Sequence, residues 1–209
     1  MLIPVKVFVA LSILWAAIAL VAQVVAARGG GRKDYSKRSG NPHKGMVYNF
    51  TVAMMPAHKE TVKRHPGKFA VGVLMHVGVL LVMVAVVLLL VRPTAGCRVI
   101  AFVRPMVALS LLAGVYLFIR RIFSEDLRAM SAPDDYVAIL ATCGLLELAF
   151  LHPVGAQTQT AFLIYAGLLF VYLPLGKLRH AMFFFVARGD HGRRLGYRGV
   201  YPPAAPGTE

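Results

Sequence analysis

Cysteine and acid are both scarce in this 209-residue chain: there are two cysteines, and nine Asp and Glu stand against 23 Lys and Arg. Cys97 and Cys143 are isolated and far apart, which excludes a disulfide framework, a thiolate zinc site and a covalent haem motif. Any metal here needs other ligands. Charged residues make up only 15% of the chain, whereas 58% are apolar and the mean hydropathy is +0.66, a composition that excludes a soluble domain. Also missing are a phosphate-binding glycine loop, a Ser-His-Asp constellation and a metalloprotease motif, and Gly29-Gly30-Gly31 follows an apolar run and not a strand. The formal charge of +14 falls in the gaps between apolar runs, so it reads as membrane topology and argues against nucleic acid as a partner.

What the chain has instead is long apolar stretches. Val7 to Ala27 is interrupted only by Ser12 and Gln23, long enough for a helix to cross a hydrocarbon core. It exceeds the apolar core of a signal peptide, and the following Arg28, Arg32, Lys33, Lys37 and Arg38 resist translocation. The expected spans are 1–27, about 69–91, 99–119, 136–151 and 160–186. Arg104 is expected to snorkel from the third span, and Pro174 to kink the fifth. Residues 28–68 then form a basic loop and 188–209 a tail, with Gly29–Gly45 and Pro202–Glu209 irregular. Lys and Arg number one before the first span, ten at 28–68, three at 92–104, three at 120–128, none at 152–159 and six from 177 onward. Alternating sides places nineteen on one face and four on the other. The expectation is an all-α integral membrane protein of five transmembrane helices, N-terminus outside and C-terminus cytoplasmic. No internal repeat supports a transporter.

Ionisable groups inside spans are expensive to bury, and three fall there: His76, His180 and Glu147. Antiparallel packing of the second and fifth helices brings the two imidazoles to similar depth in the inner half, where two neutral imidazoles can hold a haem iron from opposite sides. Gly72-x-x-x-His76 and Gly176-x-x-x-His180 each put a glycine one turn before the histidine, on the same helix face, clearing space for a flat macrocycle, with Gly78 thinning the second helix further. The competing reading is close helix packing at the glycines and a hydrogen bond from each imidazole to a neighbouring carbonyl.

Leu74-Met75-His76-Val77-Gly78-Val79-Leu80, the ending Lys177-Leu178-Arg179-His180 and the five-helix plan resemble the gamma subunit of respiratory nitrate reductase and its relatives, the cytochrome b subunits of heterodisulfide reductase and of the sulfite-reductase-associated complex. The resemblance runs from about Gly45 to Arg198; Pro56–Pro66 and the tail from Gly196 to Pro202 look more like the heterodisulfide-reductase type. It implies a prokaryotic cytoplasmic-membrane, respiratory-chain subunit that exchanges electrons between quinone and a cytoplasmic redox partner, such as an iron–sulfur protein, through haem b. Two-haem members carry a second histidine pair where this chain has Val86 and Phe162, so the carry-over gives one haem, on the cytoplasmic side, with His76 and His180 as axial ligands. Lys68 and Arg179 are the nearest cations for its propionates.

With one haem in the inner half, the quinone site is expected beside it, and His65 is the candidate proton acceptor, assisted by Lys63 and Lys68. Glu147, near the outer face, is the weaker candidate. A haem-free membrane anchor or assembly subunit is the alternative function. His152 reads as an interfacial residue, and His43, His58 and His65 lie in the basic loop. His191 sits in a charge cluster with Arg188, Arg193, Arg194 and Arg198, serving lipid contact or docking. A cytoplasmic partner is expected on Arg28–Lys68 and on Arg188–Tyr201, where Tyr197, Val200 and Tyr201 would gain by burial. Asn49-Phe50-Thr51 matches a glycosylation acceptor but falls on the cytoplasmic side.

Overall fold

A computed structural model describes residues 2–29, 37–152 and 155–203, and among them helix is the only regular structure. The helices are α1 (Leu2–Gly29), α2 (Pro42–Phe50), α3 (Glu60–Arg64), α4 (Pro66–Val91), α5 (Pro93–Phe123), α6 (Glu125–Ala129), α7 (Pro133–Leu151), α8 (Ala156–Tyr172) and α9 (His180–Tyr197). Short 3-10 turns cover Val52–Met54, Pro56–His58 and Lys177–Arg179. Proline opens α2, α4, α5 and α7, the position where its missing N–H costs nothing and its fixed φ suits the helix. The chain is a membrane protein: α1, α4 and α5 are each long and apolar enough to cross a bilayer, and a fourth crossing arises if α8 and α9 form one broken span. In α7, Asp134, Asp135 and Glu147 dilute an otherwise apolar stretch.

The chain divides into two compact units. The first comprises 1–19 and 67–178, the second 20–66 and 179–209. In the first unit, a continuous core joins Val9 of α1, Val82, Val86 and Leu89 of α4, Ile100 and Val107 of α5, Leu145 and Leu146 of α7, and Phe162 and Leu169 of α8. Small residues set how closely these helices approach. A Cβ on Gly78 would collide with Ser110, one on Gly114 with the Cys143 sulfur, one on Gly144 with the Tyr165 hydroxyl and one on Gly167 with the Phe8 ring. Each successive pair, α4–α5, α5–α7, α7–α8 and α8–α1, therefore has its own close contact. Gly78 thus packs a neighbouring helix, not a flat ligand. Ser110 also donates to the Leu74 carbonyl at 2.8 Å, and the Trp15 indole donates to Val171 O at 3.3 Å. Leu80, Val91, Phe102 and Leu112 remain outward and more than 60% exposed, as lipid-facing side chains do.

In the second unit, α2 and α9 meet at their glycines. A Cβ on Gly45 would strike the backbone of Gly192 and Gly196, and one on Gly192 would lie 2.8 Å from Asn49 Cβ. Asn49 is 2% exposed; its Nδ2 donates to Arg188 O at 2.6 Å, and the Arg188 guanidinium donates back to Asn49 O at 2.7 Å. Asn41 caps α2 by accepting from the His43 and Lys44 amides. At the other end Gly199 takes φ +73°, which closes α9 with the Val200 amide bonded to Leu195 O. The Ser39 and Gly40 amides bond Tyr197 O, each at 3.1 Å.

This departs from the expected plan in three places. Part of the segment expected to be irregular, Pro42–Gly45, is helix, while residues 30–36 and 204–209 lie outside the described residues. Tyr201, expected to await a partner protein, packs on Tyr48 at 4.9 Å and on His191 at 5.9 Å between ring centroids. The fifth helix, expected to kink at Pro174, is broken outright at 173–176. Pro174 has no N–H to donate, and α7 binds the chain on both sides of the break. Asp134 accepts from the Tyr172 hydroxyl and from the Lys177 amide, the latter at 2.6 Å. Asp135 pairs with Lys177 Nζ at 2.7 Å and with Arg121 at 3.7 Å.

Candidate functional site

His76 lies in α4 with its ring exposed, and its Nδ1 is 2.7 Å from Gly72 O. A carbonyl oxygen can only accept, so Nδ1 carries the proton, and in the neutral imidazole Nε2 then keeps the lone pair. This is the imidazole–carbonyl bond that the close-packing reading expects; a histidine that ligates a metal makes the same bond through its other nitrogen, which fixes tautomer and ring orientation. At Gly72 nothing lies within 4 Å of where a Cβ would stand, so the face beside the histidine is open. A planar macrocycle resting one turn before its ligand fits this arrangement.

His180 is placed differently. It is the first residue of α9, directly after the 3-10 turn Lys177–Arg179, and it is exposed. Gly176 lies in the interruption, not on a helix shared with His180, and the Tyr172 ring fills the space where its Cβ would go. The expected common face of Gly176 and His180 is therefore absent, because Pro174 and the Asp134 bonds reorganise the chain just before the histidine. His76 belongs to the first compact unit and His180 to the second. Of the expected propionate partners, Lys68 and Arg179 are both exposed.

Val86 and Phe162, which stand where a second histidine pair would be, are completely buried in one apolar cluster. His65 is exposed between α3 and α4 with its amide bonded to Val62 O at 3.2 Å, and Lys63 is exposed at the end of α3. Glu147 is exposed on α7. His152, expected at the outer boundary, is 2% exposed and edge-on to the Phe162 ring at 5.4 Å. Arg104 does not snorkel freely: its guanidinium stacks 4.5 Å from the Phe150 ring centre, and its buried Nε has no hydrogen-bond partner among the described residues.

The sequence reading missed the polar cluster of Arg121, Ser131, Asp134, Asp135, Tyr172 and Lys177. Its available signal was two adjacent acids just after a helix-opening proline, matched by a tyrosine and a lysine flanking Pro174. Asp135, which precedes the apolar stretch 136–151, has its carboxyl held below the ordinary range, first by the Lys177 hydrogen bond and then, against the opposing effect of desolvation, by the Ala132 amide and nearby positive charge. Among the described residues no three His, Cys, Asp or Glu side chains converge as a metal site. No family model, curated protein or solved structure matches the chain.

Proposed function

We propose that the chain is the membrane electron-transfer subunit of a respiratory oxidoreductase, with one haem b that His76 and His180 would hold. It would lie in a prokaryotic cytoplasmic membrane with five spans, N-terminus outside, α7 and the broken α8–α9 stretch supplying the last two. The single observation that carries the reading is the His76–Gly72 geometry: an imidazole oriented by a 2.7 Å bond through Nδ1, next to an open backbone face. When bound, haem b supplies a one-electron couple between a membrane quinone and a cytoplasmic iron–sulfur or other redox protein. The chain's own part is to orient His76, to offer Lys68 and Arg179 as cations for propionates and to provide His65 as proton acceptor for a quinol, with Lys63 beside it in sequence. Val86 and Phe162 keep the position of a second pair apolar, consistent with one haem per chain.

A haem-free anchor or assembly subunit is the second reading, and the Tyr172 ring over Gly176 favours it, because that ring takes space the first reading assigns to a macrocycle. Optical spectroscopy of the purified full chain separates the two. The electron-transfer reading expects sharp reduced-minus-oxidised haem b bands, one haem per chain, lost in His76→Ala and in His180→Ala. A colourless protein expressed under haem-replete conditions would establish the anchor instead.

A further inference from the structure

The second unit contains a cavity that the electron-transfer reading does not use. It has a volume of about 350 Å³ and is lined by Arg28, at the end of α1, and by Phe183, Val186, Asp190, His191 and Arg194 of α9. We infer that it binds the headgroup of an anionic phospholipid, with the phosphate between Arg28 and Arg194 and the glycerol end of the acyl chains against Phe183 and Val186.

Three observations lead there. First, two guanidiniums and an imidazole face one carboxylate, so the lining is positively biased, and arginine forks match phosphate oxygens in pairs. Second, the wall is not uniformly polar: Phe183 and Val186 give an apolar surface that a free inorganic anion would leave unused and a lipid would cover. Third, Arg28 lies one residue from the end of a helix long and apolar enough to cross the bilayer, and a bilayer crossed by that helix would put Arg28 at headgroup level. Val25 and Val21, one and two turns earlier on α1, are more than half exposed and offer a track for an acyl chain. The site fits the second unit's charge: its stretches 20–66 and 179–209 contain fourteen of the 23 basic residues and four of the nine acids. Arg28 also stands in the last turn of α1, where a cation is favoured by the helix dipole and is kept facing the headgroups.

The inference is independent of haem. Native mass spectrometry of the full chain in detergent, offered phosphatidylglycerol, phosphatidylcholine or glycerol 3-phosphate, tests it. Phosphatidylglycerol should remain as a discrete one-to-one adduct while the other two do not, and R28Q/R194Q should weaken retention roughly tenfold or more. K37Q/K44Q, which removes the same charge elsewhere in the unit, should leave retention unchanged. R28K/R194K should recover much of it, and circular dichroism should show equal helicity throughout. Undiminished phosphatidylglycerol binding by R28Q/R194Q, an equal loss in K37Q/K44Q, equal retention of phosphatidylcholine, or displacement by glycerol 3-phosphate at equal concentration would each overturn the site.

Discussion

In the unit built on α4, α5, α7 and α8, Phe162, Ile100, Leu145 and Leu146 interlock side chain against side chain, whereas α2 and α9 come closest where neither has a side chain at all. The first arrangement draws on many dispersion contacts, each small, so a single methylene is a modest fraction of the whole. The second draws on a few backbone contacts at Gly45, Gly192 and Gly196 together with the reciprocal Asn49–Arg188 bonds. It tolerates no added atom at the contact. The two units therefore should fail in opposite ways, one to removal of volume and the other to its addition.

The largest expected effect is in the first. Phe162→Ala removes a fully buried ring from the centre of the apolar cluster and should cost about 3–5 kcal/mol. It would be measured as a lowered Tm in detergent, and an unchanged Tm would show that the cluster collapses freely around the gap. Next, Gly45→Ala places a methyl within 2.7 Å of the Gly196 amide nitrogen and should cost about 1–3 kcal/mol, confined to the α2–α9 pair. Trypsin should then cleave faster at Lys44 and Arg193 with the melting of the first unit unmoved; identical digestion of variant and parent would refute the glycine contact as what holds the pair. The smallest effect concerns Asp135. Its folded-state pKa is depressed, so its stabilisation is present above the ordinary carboxylate value of about 3.9 and is lost as pH falls through the lower folded value. Because Lys177 is about half exposed, the loss should be below about 1 kcal/mol, and Asp135→Asn should flatten the acid limb of a Tm–pH curve.

Hydropathy made helices of the first unit legible almost to their ends: 69–91 is α4 from Pro66 to Val91, and 136–151 is α7 from Pro133 to Leu151. The third span is longer than its apolar stretch, 93–123 against 99–119, because its ends tolerate Arg98, Arg120 and Arg121 in helix. The break at 173–176 was only half legible. Pro174 announced a kink, but the full interruption depends on carboxylates about forty residues earlier in the chain. The α2–α9 pair escaped because its signal is glycine spacing in a polar stretch, and the partner of Asn49 is 139 residues away. The candidate site divides likewise: Gly72 and His76 are related by one turn of uninterrupted helix, which spacing captures, whereas Gly176 and His180 are separated by tertiary contacts that spacing does not encode.

That 139-residue separation also orders events during synthesis. At about 5–20 residues per second, roughly 7–30 s pass between the emergence of Asn49 and that of Arg188. Throughout that interval Gly45 and Asn49 have no partner, since the surface they fit has not yet been made. The segment ahead of α4 must wait as a basic, unpaired stretch, and only completion of α9 converts it into folded structure. A ribosome stalled between Phe123 and Arg188 would leave α1, α4 and α5 already synthesised and the second unit unformed, so the last helix to appear acts as the closing step for a unit whose other half is among the first residues made.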